Sequence, residues 1–310
     1  MGQILVTGAA GFIGSHTTDR LLAEGHTVLG VDNFRSGHRR NLAGALTQSR
    51  FRLAEADVAG AGVLDRLVAE FRPEAIIHLA ALVSVQESIR DPELNHRLNV
   101  TATERVAAAA LAHGVQRIVF ASSAAIYGDT ADLPIREETA KAPISPYGEA
   151  KLRSEDILLG LAPRGVTVRC HRYFNVFGPR QDPASPYSGV ISIFERRYRE
   201  GRGVTIYGDG RQTRDFISVH DVARANVIAA VQPGITPGAA NICTGRATSL
   251  LDIVAIFARH YPQAPAPRFE PARAGDIIHS LGSAARAEVE LGFTARVSVA
   301  DGLAELIRVS

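Results

Sequence analysis

The sequence has 310 residues, 46% of them hydrophobic and 21% charged, with a formal net charge of +2. That length supplies one large domain or two interlocked ones, and so neutral a balance gives no footing for nucleic acid as a partner. No apolar run is long enough to cross a bilayer, and the chain enters a strand almost at once, so neither a membrane span nor a signal peptide is expected.

Residues 3–7 form a short apolar strand, followed by Gly8-Ala-Ala-Gly11-Phe12-Ile13-Gly14 and a helical pattern through Ala23. A glycine triplet between strand and helix is the setting that a dinucleotide fingerprint requires. Gly8 permits the tight turn, Gly11 lets backbone approach a pyrophosphate, and Gly14 lets helix pack on strand, with the helix N-terminus facing the phosphates. A second strand at 27–31 ends on Asp32, 18 residues after Gly14. An acid there accepts hydrogen bonds from the adenosine ribose and repels a 2′-phosphate, which favours NAD over NADP. Arg35, Arg39 and Arg40 follow closely and are the alternative, a phosphate site.

The next strand, at 51–54, leads to Asp57-Val58, placed to touch adenine. Residues 75–79 are a continuous apolar run of the parallel-sheet kind, opening into Ala80 and Ala81, small enough for a cofactor to lie against the sheet. His78 within that run reads as a core histidine. A helix over 94–113 carries Asn99, and a strand at 117–121 ends in Ser122-Ser123. Open α/β sheets bind ligands at strand C-terminal ends, so the Ser123 hydroxyl is placed to hold a substrate oxygen. Tyr147 and Lys151 stand four apart on a helical stretch and share one face. A phenol, with an ordinary pKa of about 10, is a poor base at neutral pH, but an ammonium beside it favours the phenolate. Among 34 basic residues only Lys141 and Lys151 are lysine, so the compact ammonium at position 151 stands out. Cys170 and Cys243 lie in apolar, strand-like runs and read as buried thiols, not as a disulfide or metal pair, which makes a reducing cytoplasm the expected location and leaves no metal site to expect.

The glycine turn, Asp32, Asp57-Val58, His78-Leu79-Ala80-Ala81, Asn99, Ser123 and Tyr147-x-x-x-Lys151 occur in the order of the extended short-chain dehydrogenase/reductase superfamily. Over essentially its whole length the chain resembles the NAD-dependent epimerase/dehydratase family, and within it the UDP-glucose 4-epimerases, of the bacterial type close to UDP-N-acetylglucosamine 4-epimerases. The resemblance implies an α/β fold: a Rossmann-like doubly wound parallel sheet over 1–172 with a return segment near 215–245, and a smaller α/β substrate-binding domain over 173–310. It implies NAD held by Gly8, Gly11, Phe12, Ile13, Gly14, Asp32, Asn33, Arg35, Ser36, Gly37, Asp57, Val58, Leu79, Ala80, Ala81, Asn99, Tyr147, Lys151 and Phe174. It implies a UDP-sugar contacted by Ser84, Ser123, Tyr147, Asn175, Gly189, Val190, Thr205, Tyr207, Arg214, Arg273, Asp276 and Ser280. In that scheme Phe174 lies near the nicotinamide, and Asn175 with the guanidinium forks of Arg214 and Arg273 grips the diphosphate. Thr205–Tyr207 cradles uracil and Asp276 meets the uridine ribose. A homodimer through helices near 95–113 and 149–161 is a further family expectation.

Two departures sharpen this reading. Relatives that eliminate water place an acidic pair directly after the active-site hydroxyl, and decarboxylating relatives usually carry a Glu nearby. Here Ala124 and Ala125 follow Ser123 and can do neither job. At position 280 a bulky aromatic excludes an N-acetyl group in UDP-hexose 4-epimerases, whereas Ser280 is small. The expected chemistry is therefore C4 inversion: Tyr147, held as phenolate by Lys151 and a cationic nicotinamide, takes the 4-hydroxyl proton, while Ser123 holds that oxygen. The rivals are a dedicated UDP-GlcNAc or UDP-glucuronate 4-epimerase, a net NDP-sugar reductase or dehydrogenase consuming added cofactor, and a non-catalytic NAD-binding scaffold.

Overall fold

The structure is a computed structural model that describes residues 1–182, 189–272 and 277–309. Alternating strand and helix patterns fold as β1 (Gln3–Thr7), α1 (Phe12–Ala23), β2 (Thr27–Asp32), β3 (Phe51–Glu55), α2 (Val63–Phe71) and β4 (Ala75–His78). Then come α3 (Val85–Arg90), α4 (Pro92–Asn95), α5 (Ala102–Ala112), β5 (Arg117–Ser123), α6 (Pro146–Leu159) and β6 (Thr167–Tyr173). The second half runs β7 (Asn175–Phe177), α7 (Val190–Arg199), β8 (Thr205–Tyr207), β9 (Thr213–Arg214), β10 (Phe216–Ser218), α8 (Val219–Val231) and β11 (Gly238–Ile242). It closes with β12 (Thr248–Ser249), α9 (Leu250–His260), β13 (Arg268–Glu270), β14 (His279–Ser280), α10 (Ala285–Leu291) and α11 (Val299–Val309).

Seven strands form one sheet in the order β11-β6-β5-β4-β1-β2-β3, every neighbouring pair parallel. Successive residues of β1 point to opposite faces, and both faces are covered, which is why the run is apolar throughout. Ile4 and Val6 join a core with Leu21 of α1 and Val227 of α8; Leu5 joins another with Leu64 of α2, Val106 of α5 and Leu158 of α6. Strand order reverses between β1 and β4, and the crevice beyond that switch point is where such sheets receive ligands. The smaller elements of the second half surround a separate apolar cluster that includes Phe194, Ile206, Phe216, Phe257 and Leu303. Among the described residues no helix is long and apolar enough to cross a membrane.

Two elements differ from the sequence expectations. The helix expected over 94–113 is broken by a π-helical turn at His96–Thr101 between α4 and α5. In that turn the Asn99 carbonyl also accepts from the hydroxyls of Thr103 (2.7 Å) and Ser154 (3.3 Å). The strand expected over 117–121, β5, carries on through Ser123. Beyond α9, the stretch with Pro262, Pro265 and Pro267 leads into β13, which pairs in parallel with β8.

A buried ion pair ties α6 to the sheet. Arg172 on β6 meets the Glu155 carboxylate in bidentate fashion, Nε to Oε1 at 3.0 Å and Nη2 to Oε2 at 2.8 Å, while Nη1 donates to the Tyr127 hydroxyl at 2.9 Å. Both side chains are at most 4% exposed, so losing one partner strands a desolvated charge. Replacing Glu155 with Ala is expected to cost about 3–5 kcal/mol of stability, measured by denaturant unfolding. A loss below about 1 kcal/mol would show that Arg172 finds other satisfaction.

Candidate active site

At the switch point the first βα turn is built for close approach. Gly8 has φ of 70°, and a Cβ there would come 2.7 Å from the Ala80 nitrogen; a Cβ on Gly14 would come 1.9 Å from the Gly8 oxygen. Gly11 starts α1, whose first turn, with Phe12 and Ile13 partly exposed, has no side-chain cap, so its N–H groups face the crevice as an anion site. Asp32 ends β2 at 7% exposure, its two carboxylate oxygens each taking one backbone N–H, from Ala10 at 2.9 Å and Phe34 at 2.8 Å. A carboxylate has about four acceptor positions, so capacity remains for a ribose diol. Asn33 and Ser36 are exposed beside it, and Gly37 is buried. Thr7 Oγ1 accepts from the N–H groups of Leu79 (3.1 Å) and Ala80 (3.2 Å), fixing the small-residue floor that continues into Ala81. Val58 is buried, and Asp57 accepts from Arg97 (2.7 Å) and the Ala59 N–H (2.9 Å). These groups fit an adenine dinucleotide. The phosphate alternative loses one of its members, because the Arg35 guanidinium donates to Glu87 at 2.7 Å.

The groups that can do acid–base chemistry stand at the C-terminal end of β5. Ser123 closes that strand, its hydroxyl accepting from the Ala125 N–H at 3.1 Å, and it hydrogen-bonds the Tyr147 phenol. Tyr147 sits in the first turn of α6, which begins with Ser145 as N-cap and Pro146 inside the first turn. The Tyr147 N–H donates to Ser88 Oγ at 3.1 Å, and Asn95 Nδ2 donates to the Pro146 carbonyl at 3.0 Å, so α3 and α4 both hold the start of α6. One turn on, Lys151 is 3% exposed, and its Nζ donates to the Ala121 carbonyl at 2.7 Å. An ammonium has three donors, so two remain for a ligand.

In the expected scheme Lys151 and a cationic nicotinamide together hold Tyr147 as phenolate; without the cofactor, burial dominates the pair. Tyr147 keeps some residue exposure, but its phenol group is surrounded by protein, and burial pushes its pKa above the ordinary 10, with the Ser123 hydrogen bond only partly opposing. Burial also pushes Lys151 down to about 7, against the raising effect of Glu155. Nζ lies 5.8 Å from the Tyr147 ring centre and 4.9 Å from that of Phe120. Removing water from both groups therefore outweighs their mutual attraction.

Other expected residues are placed as follows. His78 is a core residue, bonded to Thr7 (2.8 Å) and Thr103 (3.3 Å) and stacked on Phe120. Asn99 is 3% exposed and clamps Leu82 through both its amide atoms, each at 3.0 Å, so it shapes the loop after β4. Ser84 is 2% exposed and caps α3 by accepting from the Glu87 N–H at 2.8 Å. Phe174 is buried, and Asn175 follows it on β7. Arg214 and Ser280 are register partners on β9 and β14, which brings the proposed diphosphate grip and the proposed sugar gate side by side. Gly189 caps α7 and Val190 begins it; Thr205 and Tyr207 bracket Ile206 on β8, and Val190 packs against the cluster containing Ile206. Arg273 and Asp276 lie outside the described residues. Sequence reasoning missed Ser88, Asn95 and the Glu155–Arg172 pair. Ser145-Pro146 was a legible helix start; the others bond across 51 and 59 residues, or sit within strand and helix, and carry no local signal.

In the cofactor-free protein, Tyr147 is expected to stay protonated until the pH rises past the ordinary phenol range, while Lys151 loses its proton through pH about 7. Ultraviolet difference titration of wild type against Tyr147→Phe reads the phenol, and adding NAD+, whose nicotinamide ring is cationic, is expected to move the Tyr147 transition downward. A Tyr147 phenolate already present at neutral pH without cofactor would contradict the account.

Residues 4–243 match the NAD dependent epimerase/dehydratase family. The chain is 39% identical to a UDP-glucose 4-epimerase of Mycolicibacterium smegmatis over 98% of its length and 97% of that protein. It is similar to the structure of a UDP-glucose 4-epimerase from Thermotoga maritima with UDP-glucose, at 35% identity and a TM-score of 0.92, covering 99% of this chain and 97% of that one. It is also similar to a UDP-N-acetylglucosamine 4-epimerase from Methanobrevibacter ruminantium in complex with UDP-N-acetylmuramic acid, at 31% identity and a TM-score of 0.93, with coverage of 99% and 97%. The dinucleotide turn, the Ser123–Tyr147–Lys151 arrangement and the sheet order belong together, and the chain is a member of the NAD dependent epimerase/dehydratase family.

Proposed function

We propose that this protein is a UDP-hexose 4-epimerase that interconverts UDP-galactose and UDP-glucose with NAD retained in its crevice. The observation that carries the reading is the buried Ser123–Tyr147–Lys151 set followed by Ala124 and Ala125. That set can move a proton at a sugar hydroxyl and supports nothing further, whereas elimination of water needs an additional acid and base. The cofactor, when bound, supplies a reversible hydride acceptor for sugar C4 and a positive charge beside Tyr147. Tyr147 then takes the proton of the 4-hydroxyl, Ser123 holds that oxygen, and Lys151 stabilises the phenolate and offers its two remaining donors to the cofactor ribose. The 4-keto sugar stays tethered by its UDP, turns its other face to the site, and receives the proton back from Tyr147. Binding energy from the remote nucleotide keeps the intermediate captive during that turn.

Asn175 and Arg214, with Arg273, are assigned to the diphosphate, Thr205 and Tyr207 to uracil, Asp276 to the uridine ribose, and Gly189, Val190 and Ser84 to the pocket wall. Ser280, small and partly buried, leaves room for an N-acetyl group, so UDP-GlcNAc and UDP-GalNAc are included as substrates. Phe174 faces the nicotinamide in this reading. The reading also includes a homodimer through the outer faces of α5 and α6, on the family resemblance, and a reducing cytoplasmic setting, supported by the free, buried thiols of Cys170 and Cys243.

Purified protein without added cofactor is expected to convert UDP-galactose to UDP-glucose, followed by NMR of the anomeric protons, and to act on UDP-GalNAc as well. Tyr147→Phe is expected to lower kcat on the order of a hundredfold or more with bound NAD unchanged. Loss of NAD from that variant would displace Tyr147 from the role of base. An unchanged UDP-galactose, even after NAD is supplied, would overturn the UDP-hexose assignment.

A further inference from the structure

Away from the reacting groups, one buried carboxylate gathers the strand ends of the substrate side. Asp215 lies between β9 and β10 with no exposure. Its Oδ1 accepts from the Thr244 N–H at 2.8 Å and the Thr244 hydroxyl at 2.7 Å. Its Oδ2 accepts from the N–H groups of Gly245 at 2.9 Å and Gly282 at 3.4 Å. Its main-chain carbonyl accepts from the Asn175 N–H at 3.0 Å and the Asn175 side-chain amide at 3.3 Å. One residue therefore ties together β7, the turn after β11 and the chain just beyond β14. Gly282 runs so close to Phe174 that a Cβ there would meet its ring at 2.7 Å, so the knot also fixes that aromatic wall.

The neighbours of Asp215 are the residues assigned to the substrate. Arg214 precedes it directly, Asn175 hangs on its carbonyl, and Ser280 stands two residues before Gly282 in register with Arg214. Burial pushes the carboxyl pKa up, and the Thr244, Gly245 and Gly282 donors oppose that shift. We propose that Asp215 is a positioning residue for UDP-sugar binding: it holds the Arg214–Ser280 ladder, Asn175 and the Phe174 wall at one spacing. The proposal rests on the UDP-hexose reading given above. An amide in its place presents an NH2 to donors on one side, so either the Thr244 pair or the two glycine N–H groups go unpaired.

The test compares wild type, Asp215→Asn and the milder Thr244→Val, which removes only the hydroxyl bond. KM and kcat with UDP-galactose, the Kd of UDP alone by calorimetry, bound NAD and Tm are measured on each. Asp215→Asn is expected to raise KM and the UDP Kd on the order of ten- to a hundredfold with bound NAD unchanged and a smaller change in kcat, and Thr244→Val to move both several-fold in the same direction. A fall in Tm with KM and UDP Kd unmoved would overturn the proposal, leaving Asp215 a structural knot only. Should Asp215→Asn fail to fold, Thr244→Val decides by the same readings. Wild type that binds no UDP would instead remove the UDP-hexose reading itself.

Discussion

The proposed chemistry rests on a lysine and a phenol that the fold buries one helical turn apart. Lys151 is nearly inaccessible and spends one donor on the Ala121 carbonyl at the end of the central strand β5, while Tyr147 rests its phenol against Ser123 on that same strand. Helix α6 can present both only because its ends are tied down. Ser145, Ser88 and Asn95 fix the first turn, and the Glu155–Arg172 pair fixes the helix one turn past Lys151. A slip of α6 along the sheet would break all of these bonds together, so the proton-handling pair is rigid relative to the dinucleotide crevice.

That rigidity has an electrostatic consequence. Burial drives Tyr147 up and Lys151 down, so the protein alone favours the neutral forms of both. In the proposed function the cationic nicotinamide ring bound beside them would favour the phenolate, since a cation in a water-poor site acts strongly. The base would then be armed by the cofactor it serves, which would tie proton transfer to cofactor occupancy.

Much of the fold is written locally. The run at residues 3–7, the glycines at 8, 11 and 14, and Asp32 at the end of β2 each carry a backbone or burial requirement that only a few residue types meet, and they fold where their pattern says. The π-helical turn at His96–Thr101 is silent in the sequence, because a one-residue slip of the hydrogen-bond ladder leaves the apolar spacing almost unchanged. Asp215 is silent for a different reason: its side-chain donors are a hydroxyl and backbone N–H groups 29, 30 and 67 residues away. The protonation state of Tyr147 is not legible in the sequence, because spacing reveals which groups meet but not how much water they lose on meeting. The corner occupied by Arg35 shows the same limit, since only the folded chain brings Glu87 to it across 52 residues.

The central claim is that oxidation and reduction at one sugar carbon occur within one closed site. Converting UDP-galactose deuterated at C4, in ordinary water and with excess unlabelled NAD present, tests it most directly. The account predicts UDP-glucose with its deuterium still at C4 and none in the free cofactor pool. Product carrying protium at C4, or label appearing in released cofactor, would contradict it.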